Sequence, residues 1–264
     1  MFTEQRKKEK TLEESIDFMA AEIGKNVSLH SVWLYGSIVL DDFQPGWSDI
    51  DLIALATDPI TPEQADRLVT LRQALTEEEP SNRYYRWMEG IIVPVSEYQN
   101  QAFTRLVYWG TSGQRITDKY RSDPFARFEL AKYGRLVFGS ADKALFPLPD
   151  QAELTAAIQR HYETIRTFAV QTDESLYSCG WLLDIARCIY TLRHPDVIGK
   201  TQAGKWALSQ HLFPDEAPLK TALLIRQSPL VYKDRPEIRQ WLGGLGSVVQ
   251  RYADVLEKEL AERS

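Results

Sequence analysis

Two aspartates separated by one residue, Asp49-Ile50-Asp51, lead straight into the apolar run Leu52-Ile53-Ala54-Leu55. On a strand, residues i and i+2 project to the same side, so both carboxylates would stand together while Ile50 faces a core. Carboxylates this close repel, and at neutral pH such a pair holds either a shared proton or a cation. A hard ion such as Mg²⁺ is held by one or two carboxylates together with substrate phosphates. The plain alternative is a turn cap at Asp49 and a solvated strand start at Asp51. Upstream, Gly36-Ser37 closes another apolar run and is followed by a loop, residues 38–48. Glycine lets a backbone approach a phosphate closely, and the serine hydroxyl and following amides can donate to its oxygens. A third acid, Glu89, stands between Met88 and Gly90-Ile91-Ile92-Val93. A carboxylate there is paired, metal-bound or catalytic, or lies on the wet face of an edge strand, because an unpaired buried one is costly. The neighbouring Asp41-Asp42 read as loop residues without a special role.

These groups need strands to hold them, and the first half of the chain alternates helix and strand. Apolar residues at helical spacing predict a helix from Thr11 to Ile23, stopped by Gly24. Strands are expected over Val27–Tyr35, Asp51–Ala56 and Trp87–Val95, with Glu89 the only charge inside the last. Thr61-Pro62-Glu63-Gln64 is a helix start, with Thr as cap, Pro at the first position and Gln closing a capping box. Residues 98–148 carry weaker signals, with a helix expected within 120–133 and a linker at Pro147-Leu148-Pro149-Asp150. Beyond it, helices are predicted near 151–171, 175–193, 201–212, 216–227 and 236–262. The expected class is α+β: an N-terminal α/β domain with a small mixed sheet, residues 1–149, followed by an all-helical domain, 150–264.

With 264 residues, 44% hydrophobic and 26% charged, the chain has enough material for a substantial core. The net charge of −6 weighs against a nucleic-acid backbone as partner and suits a cationic small substrate. The segment Met1–Lys10, with Arg6-Lys7-Lys8, is polar, so no signal peptide is expected. No apolar run reaches the ~18 residues of a membrane span. Cys179 and Cys188 fall in one predicted helix, about 13 Å apart, too far for a disulfide. Reduced thiols and a cytoplasmic location are expected. His30, His161, His194 and His211 are scattered without metal spacing, and Gly199-Lys200-Thr201 lacks the earlier glycine of a P-loop, having His194 there instead.

Gly36-Ser37, the loop, Asp49-Ile50-Asp51 and a later strand acid resemble the nucleotidyltransferase superfamily that includes DNA polymerase β. In the predicted helical half, Asp184-Ile185-Ala186-Arg187-Cys188-Ile189-Tyr190-Thr191-Leu192, then Ile198-Gly199-Lys200-Thr201 and Lys205-Trp206-Ala207, are similar to the helical domain of aminoglycoside adenylyltransferases. The nearest type modifies streptomycin and spectinomycin. The resemblance implies an enzyme that transfers AMP from ATP, with Mg²⁺ (two ions), to a hydroxyl of such an antibiotic, releasing pyrophosphate. It implies Asp49, Asp51 and Glu89 as metal and catalytic residues, with Glu89 as general base. Gly36, Ser37, Ser48, Arg187, Lys200 and Tyr232 would contact the nucleotide. Trp109, Asp173, Glu174 and Tyr177 would stand where relatives contact the drug. A monomer is the default, with no nucleic-acid or membrane partner. The competing readings are a nucleotidyltransferase acting on another small molecule or a protein hydroxyl, a non-catalytic nucleotide-binding module, and a structural protein.

Overall fold

The structure is a computed structural model that describes residues 10–110 and 113–263. The polar N-terminal stretch with Arg6-Lys7-Lys8 lies outside the described residues. The chain divides into two compact units. The first comprises the residues up to Tyr35, Asp49–Arg121 and Gly134–Phe146. The second comprises Gly36–Ser48, Ser122–Tyr133 and the chain from Pro147 onward. A single cut near 150 therefore falls beside one edge of this division, while the segments 36–48 and 122–133 group with the helices.

The first unit is built on a sheet of strands β1 (Leu29–Tyr35), β2 (Ile50–Ala56), β3 (Met88–Pro94), β4 (Leu106–Gly110), β5 (Gly113–Thr117) and β6 (Arg135–Gly139). Their order is β5-β4-β3-β2-β1-β6. Only β2 and β3 run parallel, and every other neighbouring pair is antiparallel, so the sheet is mixed. The parallel pair needs a crossover, which helix α2 (Pro62–Glu78) supplies. Its start is the expected one: Thr61 accepts from the Gln64 amide, the Gln64 side chain accepts from the Thr61 amide, and Pro62 opens the first turn. Helix α1 (Leu12–Gly24) is capped in the same manner by Thr11 and Glu14. The short helix α3 (Val95–Asn100) completes this unit. Trp33, Leu34, Ile50, Leu55, Leu68, Met88 and Ile92 are buried and form its core.

The second unit contains helices α4 (Pro124–Lys132), α5 (Gln151–Phe168), α6 (Tyr177–Arg193), α7 (Lys200–Ser209), α8 (Ala217–Gln227), α9 (Pro229–Tyr232), α10 (Pro236–Gly243) and α11 (Gly246–Ala261). Helix α6 is the central member: Leu182, Leu183, Ile185, Ala186 and Ile189 are each fully buried. Residues 236–262 form two helices rather than one. The break falls at Gly244-Leu245, where Gly244 ends α10 and the Leu245 amide donates to Thr172 Oγ1 at 3.0 Å. Cys179 and Cys188 are free and buried, and burial pushes both thiols up to about 12. Among the described residues no helix is long and apolar enough to cross a membrane.

Candidate functional site

In the first unit, Asp51 is the second residue of β2 and Asp49 immediately precedes the strand. Ile50 is fully buried, whereas Asp49 and Asp51 on either side of it are half-buried. Glu89 joins them through sheet register: β2 and β3 are parallel, and Asp51 lies opposite Glu89. Side chains at paired positions of neighbouring strands share a face, which brings the two carboxylates to one side of the sheet. The register depends on Gly90, whose φ is +145°. A Cβ at that position would collide with the Leu52 carbonyl oxygen. Only glycine allows β3 to run this close to β2 immediately after Glu89.

Arg72, on α2, lies within electrostatic reach of Glu89 and Asp49. Its guanidinium donates to the Met88 carbonyl at 2.7 Å, the Gly110 carbonyl at 3.2 Å and Gln114 Oε1 at 3.1 Å. Burial draws its pKa below the ordinary arginine value, against the pull of Glu89 and Asp49. Tyr108 belongs to the same neighbourhood, its phenol raised by burial and by Glu89. The fixed cation lowers the cost of gathering acids on one sheet face, and sequence reading passed it over because α2 is polar along most of its length. Among the described residues no group of three or more His, Cys, Asp or Glu side chains is placed to hold a metal ion. An ion here would therefore rest on Asp49 and Asp51 with oxygens from a bound substrate, which is the usual coordination of Mg²⁺.

Trp109 is a core residue. It is 1% exposed, and its indole N–H donates to the Leu68 carbonyl at 3.0 Å. This departs from the expectation that it would meet a drug, because the sequence shows an aromatic in an apolar stretch but not which face of β4 it occupies.

The second unit contains the residues expected to meet a nucleotide. Gly36 turns the chain out of β1 with φ +70° and opens a short 3-10 turn, Gly36–Ile38. The Ser37 hydroxyl is buried and has no hydrogen-bond partner among the described residues. The Gly36 amide donates to Glu129 Oε2 at 3.0 Å, and Glu129 Oε1 lies 3.9 Å from Arg187 Nη1. Arg187 Nη2 is 3.2 Å from Asp184 Oδ1, and Lys200 Nζ is 3.0 Å from Asp184 Oδ2. A single chain of contacts thus links the Gly-Ser turn to both expected cations. Burial alone would raise the Asp184 carboxyl, but Lys200 and Arg187, with His161 beyond them, outweigh it and hold the group at about 2. Glu129 is 4% exposed, and burial lifts it to about 7 although Arg187 opposes the shift.

Asp42, read from the sequence as a loop residue without a role, is 2% exposed and makes the most buried ion pair of this unit, at 2.7 Å to Arg226 Nη2. Asp42 Oδ2 also accepts from the Thr201 amide at 3.1 Å, at the start of α7, and Arg226 Nε donates to Thr201 Oγ1 at 3.1 Å. Gln202 Nε2 donates to the Leu40 carbonyl at 3.2 Å. The loop that begins at Gly36-Ser37 is thereby bolted to the helix that begins at Lys200.

The remaining expected residues make local contacts or lie exposed in the second unit. Ser48 Oγ accepts from the Gln44 amide at 3.0 Å and closes the loop upon itself. Asp173 accepts from the Ser175 hydroxyl at 2.5 Å, the Ser175 amide at 2.9 Å and Ser178 Oγ at 3.1 Å, which keeps its carboxyl below the usual range. Glu174 pairs with Arg239 at 2.9 Å on the surface. Tyr177 is exposed at the first turn of α6, and Tyr232 lies beneath the Arg235 guanidinium, 4.8 Å from its ring centre.

One unit thus carries an Asp-x-Asp pair beside a facing acid, and the other carries two cations tied to a Gly-Ser turn. Residues 144–257 match the family model described as aminoglycoside adenylyltransferase, C-terminal domain. That stretch, under half of the chain, is similar to the C-terminal domain of aminoglycoside adenylyltransferases. Its fold is that of a spectinomycin adenyltransferase from Enterococcus faecialis, whose crystal structure holds ATP and spectinomycin. The TM-score is 0.58 at 16% identity, over 92% of this chain and 99% of the other. No curated protein sequence matches the chain.

Proposed function

We propose that this protein transfers AMP from ATP to a hydroxyl group of an aminoglycoside-type antibiotic, with spectinomycin or streptomycin as acceptor, and releases pyrophosphate. The observation that carries this reading is the continuous linkage from the Gly36 amide through Glu129, Arg187 and Asp184 to Lys200. It gathers a backbone turn, an unpartnered serine hydroxyl and two cations in one unit, which is the donor set a triphosphate requires.

In this reading Gly36 lets the backbone approach the phosphates, the Ser37 hydroxyl donates to their oxygens, and Arg187 and Lys200 neutralise their charge. Asp49 and Asp51 suit Mg²⁺, which would supply charge neutralisation at the phosphates. Glu89 takes the proton of the acceptor hydroxyl. That oxygen bonds to the α-phosphorus as the bond from the α-phosphorus to the bridging oxygen breaks, and the electron pair leaves with pyrophosphate. Arg72 holds the carbonyl of Met88 and so fixes the start of the strand from which Glu89 projects. Trp109, buried in the core, is not assigned to the acceptor in this reading. The protein would act as a monomer in a reducing, cytoplasmic compartment, consistent with its two buried thiols.

Pyrophosphate release, measured with ATP and Mg²⁺ across spectinomycin, streptomycin, other aminoglycosides and unrelated hydroxylated acceptors, tests the assignment. Release that depends on spectinomycin or streptomycin is the expected result. Nucleotide binding without release for any member would instead favour the non-catalytic binding module. Within the same assay, Lys200→Met is expected to raise the KM for ATP by about 10-fold or more with a smaller change in kcat, the pattern of lost ground-state binding. An unchanged KM would remove Lys200 from the nucleotide site.

A further inference from the structure

Glu129 is a buried carboxylate to which the expected chemistry gives no task. It lies on α4 and touches both the Gly-Ser turn and Arg187. The charged and titratable groups facing it are Arg187 from α6, Lys200 from α7 and Asp123 at the head of its own helix, together with the Gly36 amide. Asp184 stands on the far side of Arg187, with His161 of α5 beyond it. Arg187 is thus flanked by acids before any nucleotide arrives, and its Nε is buried without a partner among the described residues.

We propose that Glu129 is a positioning residue for the nucleotide: when the triphosphate binds, its carboxylate takes up one proton from solvent, which frees Arg187 to serve the phosphates while the Gly36 amide stays in place. The proposal rests on the nucleotide reading given above.

The physical chemistry is that of a buried anion losing its counter-charge. In the unliganded protein, Arg187 is the nearest cation to Glu129, at 3.9 Å. A polyanion gathered by Arg187 and Lys200 diverts that positive charge and adds negative charge nearby, and both changes favour the neutral carboxyl. Glu129 is only 4% exposed, so water cannot replace the lost partner. Asp184 shares Arg187 and Lys200 and loses part of their charge as well, but it starts at about 2 against about 7 for Glu129, so Glu129 takes the proton first. The neutral form keeps its contact with the turn: Oε2 still accepts from the Gly36 amide, and the new O–H sits on Oε1, which faces Arg187. Glu129 in this way joins nucleotide binding to proton uptake.

The sign of the pH dependence follows. Below about pH 7 Glu129 already holds its proton, so binding takes up none and affinity is flat with pH. Above it the proton must be supplied, and the apparent affinity falls by about tenfold per pH unit.

The experiment is isothermal titration of the full-length protein with ATP and Mg²⁺ at pH 8, repeated in buffers of differing ionisation enthalpy. The expected result is uptake of close to one proton per nucleotide, absent at pH 6. Glu129→Gln, which mimics the neutral carboxyl in size and shape, should bind ATP without that uptake and with an affinity that no longer falls above neutrality. A purely structural role for Glu129 would leave proton stoichiometry unchanged. If the wild-type protein binds ATP with no buffer-dependent heat, or if Glu129→Gln retains the full uptake, the proposal is overturned and the nucleotide reading stands. If the wild-type protein binds no ATP, the nucleotide reading fails and takes the proposal with it. Should Glu129→Gln not fold, as judged by circular dichroism, the wild-type affinity from pH 6 to pH 9 decides: a flat profile overturns the proposal, and a tenfold fall per unit upholds it.

Discussion

Asp49→Asn and Asp51→Asn are each expected to lower the rate of AMP transfer by about 10³-fold or more, the scale on which removal of a single transition-state charge contact acts. The fold should survive both changes. Asparagine has the shape of aspartate, and the anchors of β2 are its apolar residues: Ile50, Leu52, Ile53, Ala54 and Leu55 are all buried. What asparagine cannot supply is the negative charge that makes a half-buried pair attractive to a divalent cation. The check is acceptor-dependent pyrophosphate release beside a chemical-denaturation curve. An Asp51→Asn protein with near-wild-type turnover and an unchanged midpoint would remove the carboxylate pair from the chemistry. Glu89→Gln is the companion variant. Its loss should fall mainly on kcat, at about 10²–10⁴-fold, the usual worth of a general base. ATP affinity should remain, because Glu89 is assigned to the acceptor hydroxyl and not to the phosphates.

Asp42→Ala should be the most damaging of the candidate substitutions for stability. The Asp42–Arg226 pair has side chains only 3% exposed on both sides. Removing one partner strands a buried charge, at a cost of about 3–5 kcal/mol. At the few degrees per kcal/mol typical of a chain this size, the melting temperature should fall by roughly 10 °C. The same change also strips the Thr201 amide of its acceptor. Arg226→Met leaves Asp42 buried and charged, so it should be comparably harmful. The double variant Asp42→Ala/Arg226→Met should recover much of the loss, because the unpaired charge is then gone on both sides. Denaturant midpoints of the three variants measure this coupling. A single-variant effect below about 1 kcal/mol, the scale of an exposed pair, would show that the bolt contributes little.

The residues that could do chemistry were legible in the sequence wherever a local pattern carried them. Asp49-Ile50-Asp51 announced a shared face because strand periodicity needs only three residues to express itself. Glu89 stood out as a charge inside an apolar strand, and Arg187 and Lys200 through their resemblance to a helical domain. Glu129, in Phe128-Glu129-Leu130, bears the same mark as Glu89, a charge within an apolar run, and could have been found on that ground. Asp184 also precedes Arg187 by one helical turn, the spacing of an intrahelical ion pair. The short strands β4, β5 and β6 were not legible. Strands of this length owe their existence to pairing with partners distant in sequence, and their own composition is a weak guide. The division of 236–262 into α10 and α11 could have been read from Gly243-Gly244, since glycine commonly ends helices.

Taken alone, the sequence determined the mixed α+β class and the kind of helical domain that follows, because each depends on local periodicity or on a run of adjacent residues. The tertiary structure decided what each charge is for. It buried Asp42 against Arg226, set Glu129 between the Gly36 amide and Arg187, gave Arg187 and Lys200 a shared acid in Asp184, and withdrew Trp109 into the core. A carboxylate is solvated, paired or protonated according to its surroundings, and those surroundings are assembled from segments that the linear order keeps far apart.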